Sequence, residues 1–371
     1  MKAVVIQEAG KASVTDIKEQ SMRSDYIKVK TAAVAVNPTD FHHTAGVGRI
    51  GGILGCDVAG TVVDVGQDCT SDVKPGDIVY GVCHCANNDN AEDGAFAEYA
   101  MVKDGHIAKV PDNLTLEECA SLGTGLTTVG QALYMTLKFP LPPNKTSDSF
   151  PIFISGGSSA TGTLAIQYAK HSGLEVITTA SPQNFDLVKS RGADVVFDYN
   201  DPECGQKIRE YTKNSLCYVF DCVSTAASYK LVAQAFPTKS AETLHLVTLL
   251  PPDGWTRIDV QTHTLLAYTT FGEAFSKFGM NFPPLEEHFK FGKIFWKLTA
   301  QLVAEGQIKP HPVTIRKGGF HGVVSGISDM SLGIVRGTKL VYRVDDEAAG
   351  NEGASQQPVM APSLTNWQIE K

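Results

Sequence analysis

The chain has 371 residues, 43% of them apolar and 19% charged, with a formal net charge of −8 at pH 7. That length is enough for two domains with separate cores, and the balance is globular rather than disordered or fibrous. An acidic chain without a basic stripe argues against nucleic acid as the main partner, and no apolar run approaches the length of a membrane span.

The opening Met1-Lys2-Ala3-Val4-Val5-Ile6 reads as a strand and lacks the apolar core and cleavage site of a signal peptide, which predicts a soluble, cytoplasmic protein. Residues 26–30 alternate apolar and polar side chains like a half-exposed strand. Residues 57–66 form an apolar strand punctuated by glycine, residues 73–81 a Pro-Gly turn into another, and residues 94–99 begin a further one. Short strands at such close spacing predict a small, barrel-like domain. The eight cysteines, at 56, 69, 83, 85, 119, 204, 217 and 222, follow no repeating spacing and read as small core residues of a reducing compartment. Cys83-His84-Cys85 alone hints at metal, but a structural zinc needs four ligands and no second pair lies near in sequence, so the cluster reads as a loop edge.

From about Leu116 the texture changes. Residues 116–137 read as helix with a break at Gly123-Thr124-Gly125, and residues 138–150 as a polar, proline-rich surface loop. Strand and helix patterns then alternate over 151–154, 163–171, 175–180, 183–191, 194–199 and 217–223, which predicts an α/β, doubly wound parallel sheet. After Pro310 strand patterns return, the last over 338–344, and from about 345 onward the small, acidic residues read as a loose tail.

Within this alternation, the apolar Pro151-Ile152-Phe153-Ile154 feeds the small-residue turn Ser155-Gly156-Gly157-Ser158-Ser159-Ala160-Thr161-Gly162 and then a helix. A helix start leaves N–H groups unpaired, and small side chains let the backbone approach a pyrophosphate. Ser159 stands where many such loops carry their middle glycine, so the turn alone fits either a nucleotide site or an ordinary strand-to-helix connection. The second strand ends in Ser181-Pro182-Gln183-Asn184, with no carboxylate to repel a 2′-phosphate. Ser181 and Asn184 can donate to that phosphate, and Lys189 and Arg191 supply positive charge, which favours NADP over NAD. A polar turn with solvated basic residues is the other reading.

Asn37-Pro38-Thr39-Asp40, Gly55-Cys56-Asp57-Val58-Ala59-Gly60, residues 75–81, residues 94–99 and the nucleotide loop occur in that order. Their order and spacing resemble the zinc-independent medium-chain dehydrogenase/reductase superfamily over residues 1–344. Residues 156–161, 181–193, 196–199, 211–214, Phe220-Asp221-Cys222 and Phe271-Gly272-Glu273 resemble, more narrowly, the fungal trans-acting enoyl reductases. The resemblance implies a GroES-like β-rich catalytic domain over 1–118 and 311–345 and a Rossmann NADP-binding domain over 119–310, while composition leaves 346–371 as a flexible tail. It implies NADPH-dependent reduction of an α,β-unsaturated thioester carried by a separate highly reducing polyketide synthase, in secondary metabolism. Zinc-dependent relatives carry a Cys and a Gly-His-Glu where this chain has Asn37-Pro38-Thr39-Asp40 and Gly55-Cys56-Asp57, so a tetrahedral catalytic zinc is short of ligands and no metal is expected.

By the same resemblance, Thr39, Asp40, Phe41 and His42 lie beside the nicotinamide. Ser158, Ser159, Ala160, Thr161 and Gly162 meet the pyrophosphate, while Ser181, Pro182, Gln183, Asn184 and Tyr199 hold the 2′-phosphate and adenine end. Leu249, Leu250, Lys339, Leu340 and Val341 line the nicotinamide side. The acyl chain is expected along Thr128, Val129, Gly130, Gln131, Ala132, Leu133, Tyr134 and Met135, and along Thr269, Thr270, Phe271, Gly272 and Glu273. Hydride addition to the β-carbon requires a proton at the α-carbon, and His42 and His43 are the groups of this segment that titrate near neutrality. His42 is therefore the candidate donor, beside the reading that it only lines the cleft. Two other functions stay open: a free-standing NADPH:quinone or enone reductase, and an NADPH-binding scaffold without turnover. Residues 244–250 end in Pro251-Pro252, which cannot extend a strand ladder, and this favours a monomer.

Overall fold

A computed structural model describes residues 1–346, which group into two compact units. One unit contains residues 1–124, 268–304 and the described chain from Pro312 onward; the other contains residues 125–267 and 305–311. The segment 268–304, which the resemblance places in the nucleotide-binding domain, clusters with the β-rich unit. The tail expected over 346–371 lies outside the described residues, apart from Asp346.

The β-rich unit is built on a seven-stranded sheet. Its order is Val313–Arg316, Lys339–Arg343, Tyr26–Ala35, Asp57–Val65, Ile78–Val82 and Ile107–Lys109, with Tyr99–Lys103 also paired to Tyr26–Ala35. Against Asp57–Val65, the long strand Tyr26–Ala35 shifts register twice, and such bulges bend and twist a sheet. The last strand runs antiparallel to Tyr26–Ala35, with Val341 opposite Ala35, and Val36 N–H donates to Leu340 O at 3.0 Å. The turn that begins at Asn37 is thereby tied to the far end of the chain. Residues 268–304 add the hairpin Phe275–Lys277/Met280–Phe282 and the helix Glu286–Ala304, which buries Phe295 and Trp296.

The other unit is a six-stranded sheet, every neighbouring pair parallel. Its order is Val195–Asp198, Glu175–Ala180, Pro151–Ser155, Tyr218–Asp221, Leu244–Thr248 and Val260–Thr264. Pro151–Ser155 sits centrally, with sequence-next Glu175–Ala180 on one side and Tyr218–Asp221 on the other. This is the point of reversal at which open α/β sheets bind ligands. Phe153, Ile177, Val219, Leu246 and Val260 form a fully or largely buried cluster with Ile208 and Val232 of two helices.

Two expectations need correction. The strand Leu244–Thr248 is interior, flanked on both sides, and Val260–Thr264 is the edge, so Pro251-Pro252 follows a strand that is already paired and says nothing about the sheet edge. The break in residues 116–137 precedes the Gly-Thr-Gly triplet: one helix spans Leu116–Ala120 and the next, Gly123–Gly130, starts at its first glycine. The Asp57 carboxylate accepts from Thr124 N–H and Oγ1, both at 2.6 Å, and so caps that start from a distant strand.

Close packing at the loop over 155–162 imposes its glycines. Gly156 has φ +76°, and a Cβ at Gly162 would lie 2.3 Å from the carbonyl oxygen of Gly156. Gly162→Ala must therefore push the helix Ala160–His171 off the loop, at a cost of about 1–3 kcal/mol. A lowered thermal midpoint is expected, and an unchanged midpoint would show that the loop can open without penalty.

Candidate functional site

The β-rich unit contributes a buried polar system beginning at Asn37-Pro38-Thr39-Asp40. Proline at the first helical position and Asp40, whose carboxylate accepts Asn37 N–H at 2.7 Å, fold these residues into the short helix Pro38–His42. The Asn37 side chain points the other way, donating to Asp57 Oδ2 at 2.9 Å and accepting from Lys339 Nζ at 2.8 Å. Lys339 Nζ also meets Asp57 Oδ2 at 2.5 Å, so its amine is spent on this internal clamp. Leu340 and Val341 beside it are fully buried.

On the opposite flank of Pro38–His42 lies a second buried group. Burial raises the Asp40 carboxyl to about pH 7, and its Oδ1 accepts from Cys85 Sγ at 3.5 Å. The ligand atoms of Asp40, Cys56 and Cys85 all lie within 4.8 Å of one another. Cys83, His84 and Cys85, read from sequence as a loop edge, are all buried, with His84 stacked on Tyr268 at 3.9 Å between ring centres. Lys277, fully buried, places Nζ 2.6 Å from His43 Nε2, 3.3 Å from Cys85 O and over the Tyr268 ring. Among the described residues no carboxylate pairs with it. His43 Nδ1 lies 2.6 Å from Thr39 O and 3.2 Å from Thr39 Oγ1. Burial, and then Lys277, holds the His43 imidazole well below its ordinary pKa. His42 is half-buried, and burial lowers its pKa too. Its Nδ1 is shielded and has no partner among the described residues.

In the other unit, Ser159 caps the helix Ala160–His171, its Oγ accepting Gly162 N–H at 3.0 Å. Ser158, Ala160 and Thr161 stay half-exposed around this helix start. At the end of Glu175–Ala180, Asn184 Nδ2 donates to Ser181 Oγ at 3.1 Å; Pro182 and Gln183 are exposed, as is Tyr199. Lys189 is exposed, whereas Arg191 Nη2 is committed to Pro310 O at 2.8 Å. The small-residue helix start and the polar turn without a carboxylate fit a nucleotide carrying an extra phosphate. Leu249 N–H donates to Ser224 Oγ and Leu250 O accepts from Tyr229.

The two stretches expected along the acyl chain belong to different units. Val129, Ala132 and Leu133 are fully buried, Thr128 and Gln131 nearly so, and Tyr134 bonds to Tyr168 O and Ser172. In the other unit Thr269 meets His288 at 2.9 Å and Thr270 meets His106 at 3.1 Å. Phe271 packs against the His84 and His106 rings, and Glu273 accepts from Tyr26 and Lys103, both at 2.7 Å.

Residues 23–112 match the alcohol dehydrogenase GroES-like domain family and residues 160–280 the zinc-binding dehydrogenase family. A trans-enoyl reductase of Alternaria alternata is 43% identical over 93% of this chain and 99% of its own length. Another, of Aspergillus sclerotiorum, is 37% identical over 93% and 100%. In fold, the chain is similar to a zinc-dependent alcohol dehydrogenase protein from Rhizobium etli (TM-score 0.74, 23% identity, 92% and 98% covered). The CurK enoyl reductase is also similar (TM-score 0.70, 16% identity, 92% and 98% covered). The chain belongs to the fungal trans-enoyl reductases of the medium-chain dehydrogenase/reductase superfamily. It is an oxidoreductase of carbon–carbon double bonds, and the family points to a nicotinamide cofactor.

Sequence reasoning about this reductase missed Lys277 and Tyr268 altogether. A signal existed: Lys277 shares a strand face with Phe275, which is buried, so the hairpin reads as one inward face.

Two outcomes follow from the buried carboxyls. Asp57→Asn removes the carboxylate that faces the buried Lys339, so the urea midpoint should fall by the equivalent of about 3–5 kcal/mol; a near-neutral effect would show that this clamp does not hold the unit together. For Asp40 the folded pKa lies above the ordinary carboxyl value, so the folded state binds more protons between the two. Stability through this group therefore falls as pH rises from about 4 to about 7. Asp40→Asn should flatten that part of the pH profile of stability, and an unchanged slope would assign it to other groups.

Proposed function

We propose that this reductase uses NADPH to reduce an α,β-unsaturated thioester presented by a separate polyketide synthase, without a metal. Membership of the trans-enoyl reductases supports the reaction, because the similar proteins carry that name over their whole length. The observation that carries the cofactor choice is the half-exposed Ser181 with Asn184 at the end of Glu175–Ala180, with exposed Lys189 nearby and no carboxylate in the turn. The eight free cysteines support action in the reducing cytoplasm.

In this reading Ser158, Ser159, Ala160, Thr161 and Gly162 hold the pyrophosphate at the helix start, with Ser181 and Asn184 on the 2′-phosphate. Thr39, Asp40, Phe41 and His42 lie beside the nicotinamide. When bound, NADPH supplies the hydride for the β-carbon. The residues bind and orient the partners and keep water from the reacting atoms, which is where the protein's share of such a reaction lies. Burial lowers the pKa of the half-buried His42, which favours the reading that it lines the cleft over the reading that it donates the proton.

Calorimetry should show NADPH bound more tightly than NADH. Ser181→Asp should weaken NADPH about tenfold, or ~1.4 kcal/mol, while sparing NADH. Equal affinities for the two cofactors would overturn the choice. Purified protein mixed with its synthase and NADPH should saturate the polyketide; turnover of soluble quinones but of no enoyl thioester would favour a free-standing quinone reductase instead.

A further inference from the structure

The reaction above needs a proton at the α-carbon, and burial of His42 lowers its pKa. The β-rich unit contains another route. Lys277 lies fully buried on the strand Phe275–Lys277, its amine against a neutral imidazole and a carbonyl oxygen. A buried ammonium ion without a carboxylate partner is costly, and general structural needs would be met by an apolar side chain. His43 Nδ1, 2.6 Å from Thr39 O, must carry its hydrogen there, which leaves Nε2 as the acceptor for Lys277. Thr39, whose Oγ1 lies 3.2 Å from the same Nδ1, is a half-exposed residue. Ammonium, imidazole and hydroxyl thus form a continuous track from the interior to the unit's surface.

We propose that Lys277 is the proton reservoir of the reaction, supplying the α-carbon of the substrate through His43 and Thr39. The proposal rests on the reading of this protein as an enoyl reductase. Once the β-carbon has taken up hydride, the electron pair of the double bond resides on the α-carbon and thioester oxygen. Thr39 Oγ1 gives its hydrogen to the α-carbon, forming the new C–H bond, and takes the hydrogen of His43 Nδ1. His43 Nε2 takes a proton from Lys277, which is left as a neutral amine. Reversal of the same shifts, with water supplying Thr39, restores the charge. The groups facing Lys277 are the Cys56 and Cys85 thiols, the His43 and His84 imidazoles and the Tyr268 phenol, with the Asp89 and Asp93 carboxyls acting from further off. Burial outweighs the anionic groups and lowers the amine to about 8, so it is charged at neutral pH yet able to release its proton.

The test uses the full chain with NADPH and a 2-enoyl pantetheine thioester in D2O. The wild type should place deuterium on one face of the α-carbon, with turnover falling as pH rises through about 8. K277M should lose about 10- to 100-fold in turnover, lose that alkaline limb and scramble the α-deuterium between faces. K277R, whose guanidinium keeps its proton, should restore neither turnover nor facial selectivity, and full rescue by it would overturn the proposal. A folded K277M that keeps single-face deuteration and the wild-type pH profile overturns the proposal. The wild type alone provides a second measurement should K277M not fold: the ¹⁵N resonances of His43 should shift with a midpoint near that of Lys277, and constancy from about pH 6.5 to 9.5 overturns the proposal. Failure of the wild type to oxidise NADPH with the thioester would instead remove the enoyl reductase reading itself.

Discussion

The β-rich unit depends on one buried carboxylate. Asp57, with no exposed surface, accepts from Lys339, Asn37 and both donors of Thr124. Those donors come from the last strand, from the turn after Tyr26–Ala35 and from the start of the helix Gly123–Gly130. A buried charge is tolerated only when its hydrogen-bonding capacity is filled, so each donor must hold its place for the others to be affordable energetically. The turn carrying Thr39, Asp40 and His42 hangs directly from Asn37, one member of the clamp. Chain elements more than 300 residues apart in sequence are thus fixed relative to this turn by Lys339 and Asn37.

A packing constraint plays the matching part in the parallel-sheet unit. Gly157 has Thr178 Oγ1 2.0 Å from where a Cβ would be, and Gly162 has the Gly156 carbonyl at 2.3 Å. Loop, second strand and helix start therefore meet at backbone distance. Ser159, in the place of a glycine, is no defect. With β-region backbone it caps the helix through Oγ, a task that a glycine cannot perform.

Much of this was legible in the sequence because it is local. The alternation of apolar strands and helices over 151–223, the small-residue turn and the carboxylate-free Ser181-Pro182-Gln183-Asn184 each declare themselves within a few residues. What was not legible depends on partners far along the chain. The helix start at Gly123 is set by Asp57, and a Cβ at Gly123 would lie 2.5 Å from Gly81 O, so a triplet that looks like a helix breaker is a close-approach site. The interior position of Leu244–Thr248 depends on Val260–Thr264, whose Gln261, Thr262, His263 and Thr264 are too polar to announce a strand. Residues 268–304 carry an amphipathic helix whose partner is not written in its own pattern, and long-range contacts such as Tyr268, Phe271 and Trp296 with His84, His106 and Tyr80 place it with the β-rich unit.

Two buried lysines in the same unit show how surroundings divide structural from chemical roles. Lys339 faces a carboxylate and an amide oxygen at 2.5 and 2.8 Å, so its amine is tied into a charge-assisted clamp. Lys277 faces a neutral ring nitrogen at 2.6 Å and a carbonyl at 3.3 Å, and burial lowers its hold on the proton instead of strengthening it. An amine of the first kind anchors a fold. The second kind stores a proton that a small change of charge at the far end of its hydrogen-bond chain can draw away, and in this unit that chain ends at Thr39.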